Sequence, residues 1–141
     1  MESISPRGST GAERIRLLVV DDDDGIRTLL EVTISLDPRF ELLATAATAA
    51  DALERIRELE VDVCPDVVLL DVTLPDRDGI ELLGDLRAVC PASRIALFTG
   101  WSDDETITRA TQAGADAVFR KDGDPRGLLD SIARLAAPPG D

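Results

Sequence analysis

The sequence predicts an α/β domain built as a (βα)5 unit, a doubly wound five-stranded parallel sheet covered by helices on both faces. Three observations carry this. Short apolar runs alternate five times with helix-period segments, and such alternation implies βαβ units with right-handed crossovers. The run Val67-Val68-Leu69-Leu70 is apolar without interruption, as expected of a strand buried on both faces. Four of the five runs end abruptly in polar residues: Asp21-Asp22, Asp71, Thr99 and Lys121. In an open parallel sheet those carboxyl ends share one edge, where ligands bind.

The elements follow in order. Residues up to Glu13 are polar, with Pro, Gly and Ser, and read as a disordered tail (1–13). Ile15 to Val20 is the first strand. Ile26, Leu29, Leu30, Thr33 and Ile34 recur at helical spacing, and Asp37-Pro38 stops that helix. Phe40 to Thr45 is a less apolar strand, placed towards an edge. Thr48 caps a second helix with the stripe Ala49, Ala52, Leu53, Ile56 and Leu59. The central strand ends at Asp71, and Pro75 with Asp78-Gly79 turns the chain away. Ile80, Leu83 and Leu86 mark a third helix, closed near Cys90-Pro91. Arg94 to Phe98 is the fourth strand. A fourth helix runs from Asp103 to Ala113 and is stopped by Gly114. Asp116 to Phe119 is a short fifth strand, and Pro125 opens a last helix with Leu128, Leu129, Ile132 and Leu135 inward. Pro138-Pro139 ends it, leaving a short tail (138–141) behind a single domain of residues 14–137.

Composition removes several function classes. A net charge of −13 argues against binding nucleic acid or an anionic membrane through this chain. The absence of His excludes His-ligated zinc, a His general base and a phosphohistidine carrier within the chain. No apolar run has the length of a membrane span or the pattern of a secretory signal. Cys64 and Cys90 are expected to be free thiols in a reducing, cytoplasmic compartment.

The strand-end residues converge although they are distant in sequence. Asp21, Asp22 and Asp71 repel one another unless a cation joins them, and carboxylates with a backbone carbonyl suit Mg²⁺. Lys121 adds a point positive charge and Thr99 a hydroxyl donor. A metal, an ammonium and a hydroxyl around one carboxylate make a phosphoryl-transfer site with an aspartate nucleophile.

These motifs, Val19-Val20-Asp21-Asp22, Leu70-Asp71 with Leu74-Pro75 and Asp78-Gly79, Thr99-Gly100, Ala113-Gly114-Ala115 and Lys121, resemble the receiver domain of two-component response regulators over about Arg14 to Ala137. The resemblance implies a flavodoxin-like strand order 2-1-3-4-5. It implies that Asp71 accepts a phosphoryl group from a sensor histidine kinase or a histidine phosphotransfer protein. It implies Mg²⁺ held by Asp22 and Asp71, by Asp21 through water and by the Thr73 backbone carbonyl, with Thr99 and Lys121 on the phosphoryl oxygens. Such a domain is not an enzyme acting on a separate substrate; it promotes its own phosphorylation and dephosphorylation. Its signal leaves through the surface of helix four, strand five and helix five to an output protein or domain the sequence does not name, and a homodimer is left open.

Two departures stand out. The position three before the lysine, often aromatic in the family, is Val118, with Phe119 beside it. Asp122 follows Lys121 where many receivers have proline, so a trans bond is expected there. The Lys-Asp pair is more like receivers attached to helix-turn-helix output domains, and the expectation is a stand-alone receiver or one cut from a larger protein. With Val118 unable to act as an aromatic switch, helix four, thinly held through Ile107 and Ala110, is the expected moving part, with Trp101 as its reporter. The competing readings are a pseudo-receiver interaction module and a haloacid-dehalogenase-type aspartate phosphatase, the latter suggested by Asp22-Asp23-Asp24-Gly25.

Overall fold

The alternation of the sequence becomes one twisted sheet. The computed structural model describes residues 14–60, 63–100 and 104–136. Among them the strands are β1 (Ile15–Val20), β2 (Phe40–Ala46), β3 (Val67–Asp71), β4 (Arg94–Thr99) and β5 (Ala117–Arg120). All pairings are parallel, in the order β2-β1-β3-β4-β5. The helices are α1 (Asp24–Ser35), α2 (Ala49–Arg57), α3 (Gly79–Val89), α4 (Asp104–Gln112) and α5 (Pro125–Ala136).

Successive side chains of a strand point to opposite faces, and this alternation sorts the core into two layers. Leu18, Val20, Val68, Leu70, Ile95 and Leu97 pack with Ala52 and Ile56 of α2, Leu83 and Leu86 of α3, and Ala110 of α4. Leu17, Val19, Val67, Leu69, Ala96 and Phe98 pack on the other face with Leu30 and Ile34 of α1 and with Leu129 and Ile132 of α5. β3 is buried along its whole length, because both its faces and both its edges are covered. β2 lies at one edge, as its weaker apolar character foretold, and a register shift between Leu17 and Leu18 disturbs its ladder with β1.

Helix ends follow local chemistry. Asp23 caps α1 by accepting from the Ile26 N–H at 3.1 Å, Thr48 caps α2 through Asp51 at 3.0 Å, and Asp78 caps α3 through Ile80 at 2.8 Å. At the end of α4, Gly114 takes φ +96°, Ala115 N–H donates to Ala110 and Gly114 N–H to Thr111, a glycine-terminated reverse of the chain. The fifth strand begins at Ala117 rather than Asp116, whose carboxylate instead accepts from the Ile95 N–H at 2.8 Å. The expected tails, Ala137, Asp103 and Trp101 lie outside the described residues.

One expectation is overturned. Cys64 and Cys90 are joined in a disulfide across 26 residues, with their Cα atoms 5.9 Å apart. The crossover explains the pairing. α3 runs back antiparallel to β3, so its last turn arrives beside the chain entering that strand, and the two cysteines sit one at each of those places.

Candidate functional site

The run of four acids after β1 divides into separate roles. Asp21 is fully buried, Asp22 is exposed beside it, Asp23 caps α1, and Asp24 opens the helix in an ion pair with Arg27. Arg27 also donates to the Asp21 carbonyl at 2.7 Å, which anchors the start of α1 to the strand end. One oxygen of Asp21, Oδ1, accepts the Asp23 N–H at 2.9 Å. The other, Oδ2, lies 2.7 Å from Lys121 Nζ.

Asp71 ends β3 and is 5 % exposed. Its Oδ1 accepts the Thr73 N–H at 3.1 Å, and its Oδ2 lies 3.2 Å from the same Lys121 ammonium. Lys121 thus bridges two carboxylates, and its Nζ also stands 5.6 Å from the centroid of the Phe98 ring. The lysine is held in place because its backbone N–H donates to the Thr99 carbonyl at 2.9 Å, just beyond the β4–β5 ladder. Carboxylate oxygens of Asp21, Asp22 and Asp71 all lie within 4.8 Å of one another. Asp22 and Asp71 line a cleft of about 380 Å³ together with Thr73, Thr99, Thr106 and Lys121, and Asp21 lies buried behind it.

The electrostatics follow from this crowding. Burial pushes the Asp71 carboxyl up to about 6; the Thr73 amide works against that, Asp21 adds to it and Lys121 again opposes it. Burial would lower the Lys121 ammonium, but its contacts with Asp21 and Asp71 outweigh burial and hold it above its usual value. One lysine does not neutralise three carboxylates. The donor set is hard oxygen, net negative and clustered, which is the chemistry a Mg²⁺-sized cation takes. Asp21, Asp22 and Asp71 fit such an ion.

The strand-end residues singled out in the sequence therefore gather at one place: Asp22, Asp71, Thr99 and Lys121 line the cleft, with Thr73 beside them, and Asp21 reaches them through Lys121 and the carboxylate cluster. Val118 is partly buried and packs against the layer holding α2, α3 and α4, whereas Phe119 packs against the opposite layer. Asp122 pairs with Arg120 at 3.1 Å, and no peptide bond among the described residues is cis.

The loop beneath the cleft holds side-chain partnerships that the sequence does not announce. Asp76 accepts from the Ala49 and Ala50 N–H groups, both at 2.9 Å, and so caps α2 from a distant loop; these bonds hold its carboxyl below the usual range. Asp78, besides capping α3, pairs with Arg109 of α4 at 2.8 Å. Gly79 lies so close to the end of β3 that an added Cβ would stand 2.1 Å from the Asp71 carbonyl oxygen, so no larger residue fits without backbone movement. Pro75 and Asp78-Gly79 signal a turn in the sequence, but not these partners. A larger cleft of about 690 Å³ lies between the end of α1 and the start of α5, where Arg39 is paired with Asp37 and Asp130.

Comparison with known proteins agrees with this geometry. The family model of the response regulator receiver domain matches residues 17–133. The chain belongs to the response regulator receiver family. Among curated relatives of this receiver are the nitrate/nitrite response regulator protein NarL of Escherichia coli, 30 % identical over 89 % of the chain and 56 % of the relative, and the DNA-binding transcriptional activator DevR/DosR of Mycobacterium tuberculosis, 33 % identical over 86 % of the chain and 60 % of the relative. The chain thus spans just over half the length of these relatives. It spans 93 % of the chemotaxis protein CheY of Halobacterium salinarum, at 30 % identity over 84 % of the chain. Among solved structures, a CheY-like receiver domain protein from Methanospirillum hungatei superposes with a TM-score of 0.76 at 30 % identity, covering 87 % of this receiver and 94 % of that chain.

Proposed function

We propose that this receiver accepts a phosphoryl group on Asp71 from the phosphohistidine of a sensor histidine kinase or histidine phosphotransfer protein. The observation that carries the reading is the position of Asp71, nearly buried at the floor of the acidic cleft with its Oδ2 3.2 Å from Lys121. In the transfer an Asp71 carboxylate oxygen attacks phosphorus, the phosphorus–nitrogen bond of the donor breaks, and its electron pair stays on the imidazole nitrogen. Lys121 and Thr99, both lining the cleft, take the phosphoryl oxygens. Lys121 already rests against two carboxylates and needs only to turn towards the added group. Mg²⁺, held by Asp22, Asp71, the Thr73 carbonyl and Asp21 through water, would spread the negative charge of the transferring group. Asp78 and Asp76 keep the Thr73–Asp78 loop in place by tying it to α4 and α2.

The chain acts on no separate substrate; it promotes its own phosphorylation and dephosphorylation. Its signal leaves through α4, β5 and α5 towards an output partner. The donor chemistry belongs to the cytoplasm, and no described helix is long and apolar enough to cross a membrane. Membership of the receiver family removes the haloacid-dehalogenase-type phosphatase as a competing reading.

The test is incubation of the chain with Mg²⁺ and acetyl phosphate followed by intact mass. The wild type should gain one phosphoryl group and Asp71→Asn none. Full labelling of Asp71→Asn would move the site elsewhere, and an unlabelled wild type would make the chain an interaction module.

A further inference from the structure

The Cys64–Cys90 bridge lies at the opposite edge of the sheet from the phosphoryl cleft. Cys64 precedes the entry of β3, and Asp71 stands at its exit. We propose that this bridge is a reversible thiol–disulfide site, opened by a small anionic thiol that attacks the Cys64 sulfur. The proposal stands independently of the phosphoryl-acceptor reading.

Access is unequal at the two sulfurs. Cys90 is 2 % exposed and belongs to the core layer of α2, α3 and α4. Cys64 is half-buried and lines a cleft of about 370 Å³ together with Arg16, Asp66, Ser93 and Arg94. In a chain of net charge −13, two arginines line the same cleft as this sulfur, and among the described residues Asp66 is the one carboxylate that lines it with them. Arg16 faces Asp66 at 3.5 Å, and Arg94 reaches Asp116 only at 4.0 Å. Cationic surroundings favour the approach of an anionic thiol and favour the thiolate that Cys64 becomes on reduction.

The two bridged segments are also held together without the bond. Ser93 Oγ donates to the Pro65 carbonyl at 2.6 Å, and the Arg94 N–H donates to the Asp66 carbonyl at 2.9 Å. The Arg16 N–H donates to the Asp66 carboxylate at 2.8 Å, and the Asp66 N–H returns a bond to the Arg16 carbonyl at 2.9 Å. On the helix side, Cys90 N–H donates to Leu86 and its carbonyl accepts from Ser93, while Arg87 donates to the Ser93 carbonyl at 2.7 Å. Opening the bridge therefore leaves the thiols facing each other, ready to close again. Where proteins live among cellular thiols, disulfides that form are mostly of the reversible kind.

The chemistry balances with two thiols. An external thiolate attacks Cys64 Sγ, the Cys64–Cys90 bond breaks, and the electron pair leaves on Cys90 Sγ, which takes a proton. A second external thiolate attacks the external sulfur of the mixed disulfide and releases Cys64 as thiolate with one molecule of external disulfide. The reverse sequence, driven by an external disulfide, closes the bridge.

The full chain is equilibrated in buffers of varying reduced-to-oxidised glutathione ratio, alkylated, and its free thiols counted by intact mass, with circular dichroism recorded alongside. The expected result is conversion between bridged and two-thiol forms in both directions while the spectrum stays native. A bridge that survives excess reduced glutathione, a reduction that coincides with unfolding, or a chain that keeps two free thiols in oxidised glutathione each overturns the proposal. The direction of attack is read from two variants. Cys64 in Cys90→Ser should form the glutathione mixed disulfide about 10-fold faster than Cys90 in Cys64→Ser. Equal rates, or a faster Cys90, overturn the assignment of Cys64. If a variant does not fold, substoichiometric alkylation of the reduced wild type followed by peptide mapping makes the same comparison.

Discussion

Asp71 holds a negative charge where burial disfavours one, and this has a measurable consequence. Its carboxyl is raised from 3.8 to about 6, so the folded chain binds that proton more tightly than the unfolded chain does. The stability it lends is fully present below about 3.8 and is lost as pH rises through about 6. Asp71→Asn has no proton to lose. In the presence of a chelator, urea unfolding should show the variant gaining on the wild type from pH 4 to 6, by about 1–2 kcal/mol once Lys121 and the open cleft are allowed for, and level above pH 7. A wild type that gained on the variant over that window would mean that Lys121, and not burial, governs the site. Asp22 is the exposed member of the acidic trio and is free of the Lys121 contact that Asp21 and Asp71 share. Asp22→Ala should weaken Mg²⁺ binding by 10-fold or more on calorimetric titration, as expected on losing a carboxylate ligand. Affinity equal to wild type would place the ion elsewhere.

At the scale of the element, α4 is the least embedded helix near the cleft. Ala110 is its one buried residue among those described, and Ile107 is 40 % exposed. Thr106, Ile107, Thr108 and Thr111 are β-branched, each costing about 0.5 kcal/mol of helix propensity against Ala. Its C-terminal end is fixed by the Gly114 turn, and its middle by the Arg109–Asp78 pair, which is half exposed and worth at most about 1 kcal/mol. Thr106 of the same helix lines the acidic cleft. A phosphate mimic with Mg²⁺ should therefore change amide exchange across residues 104–112, and Arg109→Ala should speed that exchange up to about 5-fold without any ligand. Exchange unmoved by both would leave α4 a fixed wall and require another route for the signal. Val118, β-branched and packed on the same layer as Ala110, should keep its rotamer throughout.

Over the whole molecule, the bridge adds a constraint that the hydrophobic layers do not supply. It closes a loop of 26 residues spanning β3, the cleft floor and α3. In the chain-entropy view, closing such a loop in the unfolded state stabilises the fold by about 3 kcal/mol. Urea unfolding with and without reductant should differ by that order, with the reduced chain the weaker; a difference below about 1 kcal/mol would mean that the unfolded chain is already constrained there.

What could be read from the chain alone was whatever depends on periodicity or on chain direction. Apolar runs at strand spacing and stripes at helical spacing specify the alternation, and parallel strands put their carboxyl ends on one edge, so Asp21, Asp22, Asp71, Thr99 and Lys121 could be brought together without coordinates. Gly114 and Pro125 could be read because a left-handed turn and a helix start select those residues. The partners of single side chains could not be read this way. That Asp76 caps α2, that Asp78 holds Arg109, and that Gly79 leaves no room for a Cβ depend on how a loop after β3 lies between two helices. Cys64 and Cys90 show the limit most plainly. Two cysteines 26 residues apart carry no local signal of pairing, and only the return of α3 along β3 brings them within bonding distance. Local spacing determines elements and the edge where polar ends gather; tertiary packing decides which side chains meet, because those meetings join residues that no sequence period relates.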